Sequence, residues 1–220
     1  MLAVIEENVK IPAGRALLEG MLAIPPGARA VVVFAHGSGS SRFSPRNNFV
    51  ARVLRERGLA TLLFDLLTPE EDAVYENRFD IALLTERLIA ATQWLLAQPR
   101  TKNLAIGYFG ASTGSACALR AAAKLGEKIG AVVSRGGRPD LTGEEITRVR
   151  APTLLIVGGN DFGVVELNRA AFAELKGEKR LEIIPGATHL FEEPGALEKV
   201  AELAAEWFAE HLTGKKGRGA

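Results

Sequence analysis

The sequence predicts an α/β fold built around a mainly parallel sheet. Apolar runs rich in β-branched residues alternate with longer helical patterns from about residue 30 to the end of the chain. This alternation is typical of βαβ units, in which helices cover both faces of a parallel sheet. The first 25 residues differ, because two short runs on either side of Ala13-Gly14 predict an N-terminal antiparallel hairpin. No insertion is large enough for a lid domain.

Six short apolar runs predict buried strands. They are residues 30–35, 60–64, 103–109, 130–134, 152–157 and 180–184. Five helices are predicted between and after them, at residues 45–57, 78–97, 112–125, 164–175 and 195–211. The clearest helical spacing joins Ile81, Leu84, Leu88, Ala91 and Leu95. The acidic segment 66–77 has no clear periodicity, and we expect a loop there, either over the functional site or elsewhere on the surface.

Composition limits the function classes that fit this chain. With 220 residues, 47% of them hydrophobic and 24% charged, it has the make-up of one globular domain. We expect that domain to span residues 1–213, and residues 214–220 to form a disordered basic tail. The net charge of +1 gives no general attraction to nucleic acid or to an anionic membrane.

The sequence contains no signal for export or membrane insertion. Glu6, Glu7 and Lys10 interrupt the N-terminal segment, and no run approaches the roughly 20 apolar residues of a membrane span. Cys117 is the only cysteine, so no internal disulfide can form. We therefore expect a cytoplasmic protein.

A Gly-x-Ser-x-Gly pattern at residues 110–114 is the most informative motif. The pattern alone is weak evidence. Its position between a predicted strand and a predicted helix is that of a nucleophile elbow, a strained turn that exposes the serine hydroxyl above the sheet. The alternative is a glycine-rich turn with an ordinary serine at Ser112.

Three residues of complementary chemistry follow predicted strands. In a parallel sheet, ligands bind beyond the carboxyl ends of the strands, and Ser112, Asp161 and His189 all fall at that rim. A serine hydroxyl needs an imidazole to accept its proton, and the imidazole needs a carboxylate to orient it. We therefore predict these residues as nucleophile, orienting acid and general base. His211, in contrast, ends the last predicted helix and is expected to be a surface or helix-terminal residue.

Asp65 and Glu192 compete with Asp161 for the orienting role. Asp65 precedes the serine in the chain and fits a strand-end residue that structures the following loop. Glu192 is only three residues from His189, which makes it difficult for its carboxylate to reach behind the ring. Asp161, on a glycine-rich turn after the next-to-last strand, is therefore preferred.

The segment His36-Gly37-Ser38-Gly39 is suited to an oxyanion hole, because small residues let backbone N–H groups approach a developing negative charge. We predict the amides of Ser38 and Thr113 as donors, with Gly39 as an alternative to Ser38. A phosphate-binding loop is disfavoured, since the Gly-Lys-Ser/Thr ending that it requires is absent.

Several arginines fall near the same rim, Arg46 among them. They would suit an acidic substrate, whereas the alternative is that they are surface or ion-paired side chains. The candidate substrate-binding residues are His36, Gly37, Gly39, Arg42, Arg135 and Arg138.

Together, segments 31–42, 110–114 and 185–191 resemble the α/β-hydrolase superfamily, specifically the small lidless dienelactone-hydrolase-like esterases. The resemblance covers about residues 30–208 and implies a serine esterase. Dienelactone hydrolases proper use a cysteine nucleophile, so Ser112 favours ordinary ester hydrolysis over dienelactone as the substrate. Similar domains also occur fused to phosphoribosyltransferases, for which 220 residues leave no room.

The resulting hypothesis is a serine hydrolase that cleaves short-chain carboxylic esters through an acyl-enzyme. The short-chain preference follows from the expected absence of a lid. Lactone hydrolysis and acyl transfer use the same machinery and remain alternatives, as does a non-catalytic module that binds a small ligand. The expected partner is a small-molecule ester, and the hypothesis calls for no cofactor and no metal ion.

Overall fold

The computed structural model describes residues 4–214, which form an eight-stranded sheet in the order β1-β2-β4-β3-β5-β6-β7-β8. The strands are β1 Ile5–Ala13, β2 Ala16–Ile24, β3 Ala30–Ala35, β4 Ala60–Phe64, β5 Ala105–Ala111, β6 Ile129–Arg135, β7 Thr153–Gly158 and β8 Lys179–Ile184. β1 pairs antiparallel with β2, and β2 pairs antiparallel with β4. The other neighbouring strands are parallel. The carboxyl ends of β3 to β8 therefore meet at one edge.

The α-helices are α1 Pro45–Glu56, α2 Pro69–Asp72, α3 Ile81–Ala97, α4 Thr113–Leu125, α5 Phe162–Glu174 and α6 Ala196–Phe208. The sheet separates the core into two layers, because successive residues of a strand point to opposite faces of the sheet. Tyr108 of β5 packs in the layer with α3 and α4, and its neighbour Phe109 packs in the layer with α1 and α6.

The predicted fold class is confirmed: a mainly parallel sheet with an N-terminal hairpin and helices on both faces. Strands 30–35 and 60–64 have their predicted bounds. No helix within residues 4–214 combines the length and the apolarity needed to cross a bilayer. Apart from Gly214, the predicted tail lies outside the described residues.

Segment 66–77 is not the plain loop that we expected. Thr68 and Glu71 form a capping box that starts α2, and a 3-10 helix follows at Tyr75–Phe79. Arg78 also pairs with Asp72 through two nitrogens, at 2.9 and 2.8 Å. These local hydrogen bonds order a segment that lacks the apolar periodicity of a longer helix.

Two further differences concern helical segments. Predicted helix 78–97 begins at Ile81, because the Asp80 side chain caps it by accepting the Leu83 N–H. A 3-10 helix at Pro139–Arg148, between β6 and β7, was not predicted. Gly143 interrupts this helix with φ 68°, and neither half is long enough to show a helical period in the sequence.

Candidate active site

Ser112 lies in a strained turn between β5 and α4. Its φ of 51° and ψ of −122° are uncommon for a residue with a side chain, and such a conformation costs on the order of 1–3 kcal/mol. Both backbone groups are held: Ser112 N–H donates to Arg135 O at 3.2 Å, and Arg138 N–H donates to Ser112 O at 3.1 Å. The half-buried Ser112 side chain plays no part in capping α4.

Gly110 and Gly114 are required by the close contacts around this turn. A Cβ atom on Gly110 would lie 2.5 Å from Ser115 Cα. One on Gly114 would lie 2.1 Å from Ala35 O, at the end of β3. Neither contact can be relieved by moving a side chain, because the neighbouring atoms belong to the backbone. The two glycines therefore bring the elbow close to its own helix and to β3.

A buried hydroxyl chain supports the elbow from below. Ser134 Oγ donates to Ser115 Oγ at 3.0 Å, and Ser115 Oγ donates to Gly110 O at 3.0 Å. All of these groups are buried, so the bonds satisfy polar atoms that water cannot reach. The chain ties β6 to the first turn of α4.

Asp161 and His189 are brought together, although 28 residues separate them in the sequence. His189 Nδ1 lies 2.7 Å from Asp161 Oδ2. The Asp161 side chain is 19% exposed and that of His189 is 39% exposed. A carboxylate at Nδ1 favours the tautomer that carries its proton there and leaves Nε2 free to accept one.

Backbone contacts between the loop after β7 and the loop after β8 hold Asp161 close to His189. A Cβ atom on Gly158 would lie 2.5 Å from the carbonyl oxygens of both Ala187 and Thr188, so only glycine fits at the end of β7. Asn160 N–H donates to Ala187 O at 2.8 Å, and Asn160 Nδ2 donates to Gly186 O at 2.9 Å. The loops that carry Asp161 and His189 thus pack main chain against main chain.

The His189 ring also lies beside the elbow. A Cβ atom on Gly136 would be 3.5 Å from His189 Cε1, and Gly136 directly follows Arg135, whose carbonyl holds the Ser112 amide. No hydrogen bond joins the Ser112 hydroxyl to the ring in the described part of the chain. Such bonds are often long in unliganded sites and tighten when substrate binds.

The two competing carboxylates have other partners. Asp65 accepts hydrogen bonds from the backbone N–H of Arg42, at 2.7 Å, and from its guanidinium. Glu192 pairs with Arg46 at 3.1 Å. Asp161 is therefore the carboxylate that the fold places behind His189.

His36 does not have the ligand-facing position that we expected. Its Nε2 accepts the Leu66 N–H at 3.0 Å, and its Nδ1 lies 3.0 Å from Gly37 O. Burial lowers the pKa of His36, which favours the neutral ring that these two bonds require. Both ring nitrogens are occupied, so His36 joins the loop after β3 to the loop after β4.

The glycine loop lies against the elbow. A Cβ atom on Gly37 would lie 3.0 Å from Ser112 Cβ. Ser38 N–H donates to Thr113 Oγ1 at 2.9 Å, so this predicted oxyanion donor already has an acceptor. Gly39, with φ 68°, lies farther along the loop near Arg78 of the 3-10 helix at Tyr75–Phe79.

Two of the rim arginines are ion-paired, which is one of the two alternatives that the sequence left open for them. Arg42 contacts Asp65 and Glu19. Arg138 donates to Asp140 through Nε at 2.9 Å and through Nη2 at 2.7 Å. Arg135 differs, because it is buried and contacts no carboxylate in residues 4–214.

The model of the dienelactone hydrolase family matches residues 18–213. This chain belongs to the dienelactone hydrolase family. The resemblance predicted from three motifs is thereby confirmed, and membership of the family supports hydrolase activity.

Two relatives from strains of Mycobacterium tuberculosis are 58% identical to this member of the dienelactone hydrolase family over 209 residues. Each is named a putative phosphoribosyl transferase. The match covers 95% of this chain and 47% of each relative, so the chain spans about half their length.

Solved structures agree with the family assignment. A dienelactone hydrolase from Anabaena variabilis is 56% identical, with a TM-score of 0.93 over 95% of this chain and 99% of its own. Est1E from Butyrivibrio proteoclasticus is 19% identical, with a TM-score of 0.80 over 94% of this chain and 99% of its own, and this likeness shows the fold.

Sequence reasoning missed two supporting residues. The Thr113 hydroxyl binds the Ser38 amide, and buried Asn168 of α5 donates to Gly137 O at 3.0 Å, in the loop after β6. Neither had a local signal. An Asn within a helix is unremarkable, and the Thr113 contact spans 75 residues of sequence.

Cys117 is not a second nucleophile. It is fully buried in α4, and burial raises the pKa of its thiol to about 12. The reactive thiolate is therefore scarce at neutral pH. Cys117 packs as a small hydrophobic side chain, as expected from its place in the helix.

Proposed function

We propose that this protein is a serine hydrolase of carboxylic esters, with Ser112 as nucleophile, His189 as general base and acid, and Asp161 as the group that orients the imidazole. Ser112 Oγ attacks the ester carbonyl while His189 Nε2 accepts its proton. The same proton then passes to the departing alcohol. Water, activated by His189, releases the acyl group and restores Ser112.

One combination carries the proposal: a serine with φ 51° at a strand-to-helix elbow, at the same rim as a histidine 2.7 Å from a carboxylate. An ordinary serine in a glycine-rich turn needs neither the strained backbone nor the paired imidazole. Strain of this kind persists where the surrounding structure enforces it, and it clusters at functional sites.

The oxyanion hole is assigned to the amides of Thr113 and Ser38. The Thr113 amide starts α4, where unpaired N–H groups and the helix dipole favour negative charge. The Ser38 amide is held by the Thr113 hydroxyl at 2.9 Å, in contact distance of the elbow. Because a backbone amide carries one proton, the Ser38 N–H exchanges this bond for the oxyanion when substrate binds. Thr113 thus contributes one donor and holds the other at the elbow until then.

Short acyl esters are the proposed substrates. With 39% of the His189 side chain exposed, the site is open to solvent, which suits short acyl groups that need no long apolar channel. Lactones remain a second candidate class, supported by the family and by the 56%-identical dienelactone hydrolase. Ester and lactone carbonyls are attacked by the same machinery.

The test combines active-site labelling with turnover. A fluorophosphonate probe should label the wild type stoichiometrically, and p-nitrophenyl acetate and butyrate should be hydrolysed faster than the dodecanoate. Ser112→Ala should abolish labelling and lower kcat by at least roughly 10³-fold, because the nucleophile is lost.

Ser40→Ala is the matched control. Ser40 lies on the same glycine loop, and its hydroxyl makes no hydrogen bond within residues 4–214. This variant should keep both labelling and turnover. Activity that persists in Ser112→Ala would contradict the assignment of the nucleophile, and a wild type that neither labels nor turns over would favour the ligand-binding module.

A further inference from the structure

Three side chains that can bind a metal ion meet at the edge of the sheet opposite Ser112. Glu178 directly precedes β8, and Glu210 and His211 lie in a π-helical turn, Ala209–Thr213, that follows α6. One ligand atom of each side chain lies within 4.8 Å of those of the other two. Within residues 4–214, no other group of three histidine, cysteine or acidic side chains meets this condition.

The imidazole of His211 is buried with one nitrogen unused. Its side chain is 10% exposed, and Nε2 is a buried atom without a hydrogen-bond partner among the described residues. Nε2 faces Glu178, whose Oε1 is 3.7 Å away, which is too long for a hydrogen bond. Buried polar atoms normally have a partner, because leaving one unpaired is unfavourable. The buried nitrogen therefore points at a carboxylate to which it is not bonded.

The separation of these two atoms suits a metal ion that both would bind. In a tetrahedral zinc site each nitrogen or oxygen ligand lies about 2.0–2.2 Å from the ion, so two ligand atoms are about 3.3–3.6 Å apart. Nε2 and Glu178 Oε1 are already 3.7 Å apart. Both glutamates are exposed, so small rotations of their side chains would bring all three ligand atoms to these distances.

The charge and chemistry of the three ligands favour one class of ion. Two carboxylates and a neutral imidazole carry a charge of −2, which a divalent cation balances. Without a cation, carboxylates that lie this close repel each other. A nitrogen ligand beside carboxylate oxygens suits Zn²⁺, whereas Mg²⁺ and Ca²⁺ prefer sites made of oxygen alone.

The fold holds the backbone around these ligands. Glu178 O accepts the Thr153 N–H at 2.9 Å, which ties Glu178 to the start of β7. Leu212, next to His211, is buried in the core layer of α1 and α6. The His211 ring packs edge-on against Trp207, with 4.2 Å between the ring centres. The ligands are thus presented by packed elements on both sides.

We infer that Glu178, Glu210 and His211 bind a zinc ion that fastens the turn after α6 to the start of β8, with water as the fourth ligand. β8 is the edge strand, and its six residues span roughly 20 Å. His189 follows the far end of that strand, so the ion takes no part in the proposed ester hydrolysis. Its role would be structural, because it holds the strand that leads to His189.

Calorimetric titration of the chelator-treated protein with Zn²⁺ is the direct test. The wild type should bind one Zn²⁺ per chain, and Mg²⁺ or Ca²⁺ should not compete. Changes around a metal ligand already weaken affinity by roughly 10- to 100-fold, so Glu178→Gln and Glu210→Gln should each raise the Kd by at least roughly tenfold. His211→Gln should abolish binding.

Two control variants keep every ligand. Glu202→Gln removes the same charge from α6, two turns before Glu210, and should bind Zn²⁺ as the wild type does. His189→Gln disrupts the histidine–aspartate pair at the opposite edge of the sheet and should also bind it. No binding by the wild type, binding that persists in His211→Gln, or binding that is lost in His189→Gln would each overturn the inference.

Trp207 reports where the ion binds. The chain has two tryptophans, so Trp94→Phe leaves Trp207 as the single indole emitter. Ni²⁺ binds similar nitrogen and oxygen ligands and, being paramagnetic, should quench the emission of the adjacent Trp207. Excess Zn²⁺ should restore that emission by displacing Ni²⁺. Binding of Ni²⁺ without a change in emission would place the ion elsewhere and overturn the assignment.

A thermal measurement tests the structural role. Zn²⁺ at about 100 times its Kd should raise the Tm of the wild type by roughly 5–10 °C and leave that of His211→Gln unchanged. Glu178→Gln and Glu210→Gln alter exposed side chains, so they are expected to fold even if His211→Gln does not. Zinc binding without a rise in Tm would reject the structural role. None of these measurements uses ester turnover, so the zinc site and the proposed hydrolase can fail separately.

Discussion

His189 and His36 each follow a strand at the same edge of the sheet, and each has an aspartate after the neighbouring strand. His189 follows β8 and contacts Asp161, which follows β7. His36 follows β3, yet Asp65, which follows β4, bonds to Arg42 instead. Both His36 nitrogens are bound to backbone groups.

The difference shows what makes a strand-end histidine available for chemistry. In the proposed mechanism, the carboxylate at Nδ1 orients the His189 ring and leaves Nε2 for a proton in transfer. Two backbone partners instead turn His36 into a fixed link between loops. Both histidines follow strands at the same edge of the sheet, so the partner of each ring nitrogen decides the role.

The largest expected effect on kcat distinguishes Asp161 from Asp65. Asp161→Asn should lower kcat by roughly 10⁴-fold, because an amide favours the wrong tautomer of His189. Asp65→Asn should change kcat by less than about tenfold but lower the free energy of unfolding by about 1–3 kcal/mol, because Arg42 loses a charged partner. Ester kinetics and urea denaturation measure the two effects. Similar losses of kcat in both variants would contradict the difference in role between Asp161 and Asp65.

The next effect concerns the link between the two oxyanion donors. Thr113→Val keeps the shape of the side chain but removes the acceptor of the Ser38 amide. We expect kcat to fall by roughly 10- to 100-fold with little change in KM, since the displaced donor acts mainly on the transition state. Thr113→Ser restores the hydroxyl and should recover most of the loss. A valine variant as fast as the wild type would remove Thr113 from this role.

The smallest effect is a pH dependence of stability through His36. Burial lowers its pKa in the folded protein, so the unfolded chain binds a proton more readily. The contribution of His36 is therefore fully present above the unfolded-state pKa of about 6.5 and is lost as the pH falls through that value towards the folded-state pKa.

Urea denaturation from pH 8 to pH 5 measures this dependence. His36→Gln should be less stable at pH 8, since the links to Leu66 and Gly37 are weakened. Its stability should then fall less steeply with acid than that of the wild type. Parallel pH profiles would show that His36 does not titrate with unfolding.

The sequence was sufficient to predict the sheet and the rim. Strands 30–35 and 60–64 are buried on both faces, so their apolar runs end where the strands end. Since parallel strands place their carboxyl ends at one edge, Ser112, Asp161 and His189 could be assigned to that edge from the order of elements alone.

Side-chain partners could not be predicted in the same way. Arg138 pairs with Asp140, two residues along the chain, but the Arg42–Asp65 pair and the lack of a carboxylate partner for Arg135 within residues 4–214 have no such local basis. The Arg46–Glu192 pair joins residues 146 apart. Such contacts depend on how the loops pack across the edge of the sheet, for which local patterns carry no information.

The strand that carries His189 also has a consequence for how the protein fails on heating. β8 is the edge strand and is mostly half-buried, whereas β5, which leads to Ser112, is central and almost wholly buried. Local opening begins at weakly supported elements. Detachment of β8 would displace His189, the proposed base, while the strained serine kept its place. Heat inactivation would then precede the loss of the fold and would be reversed by cooling.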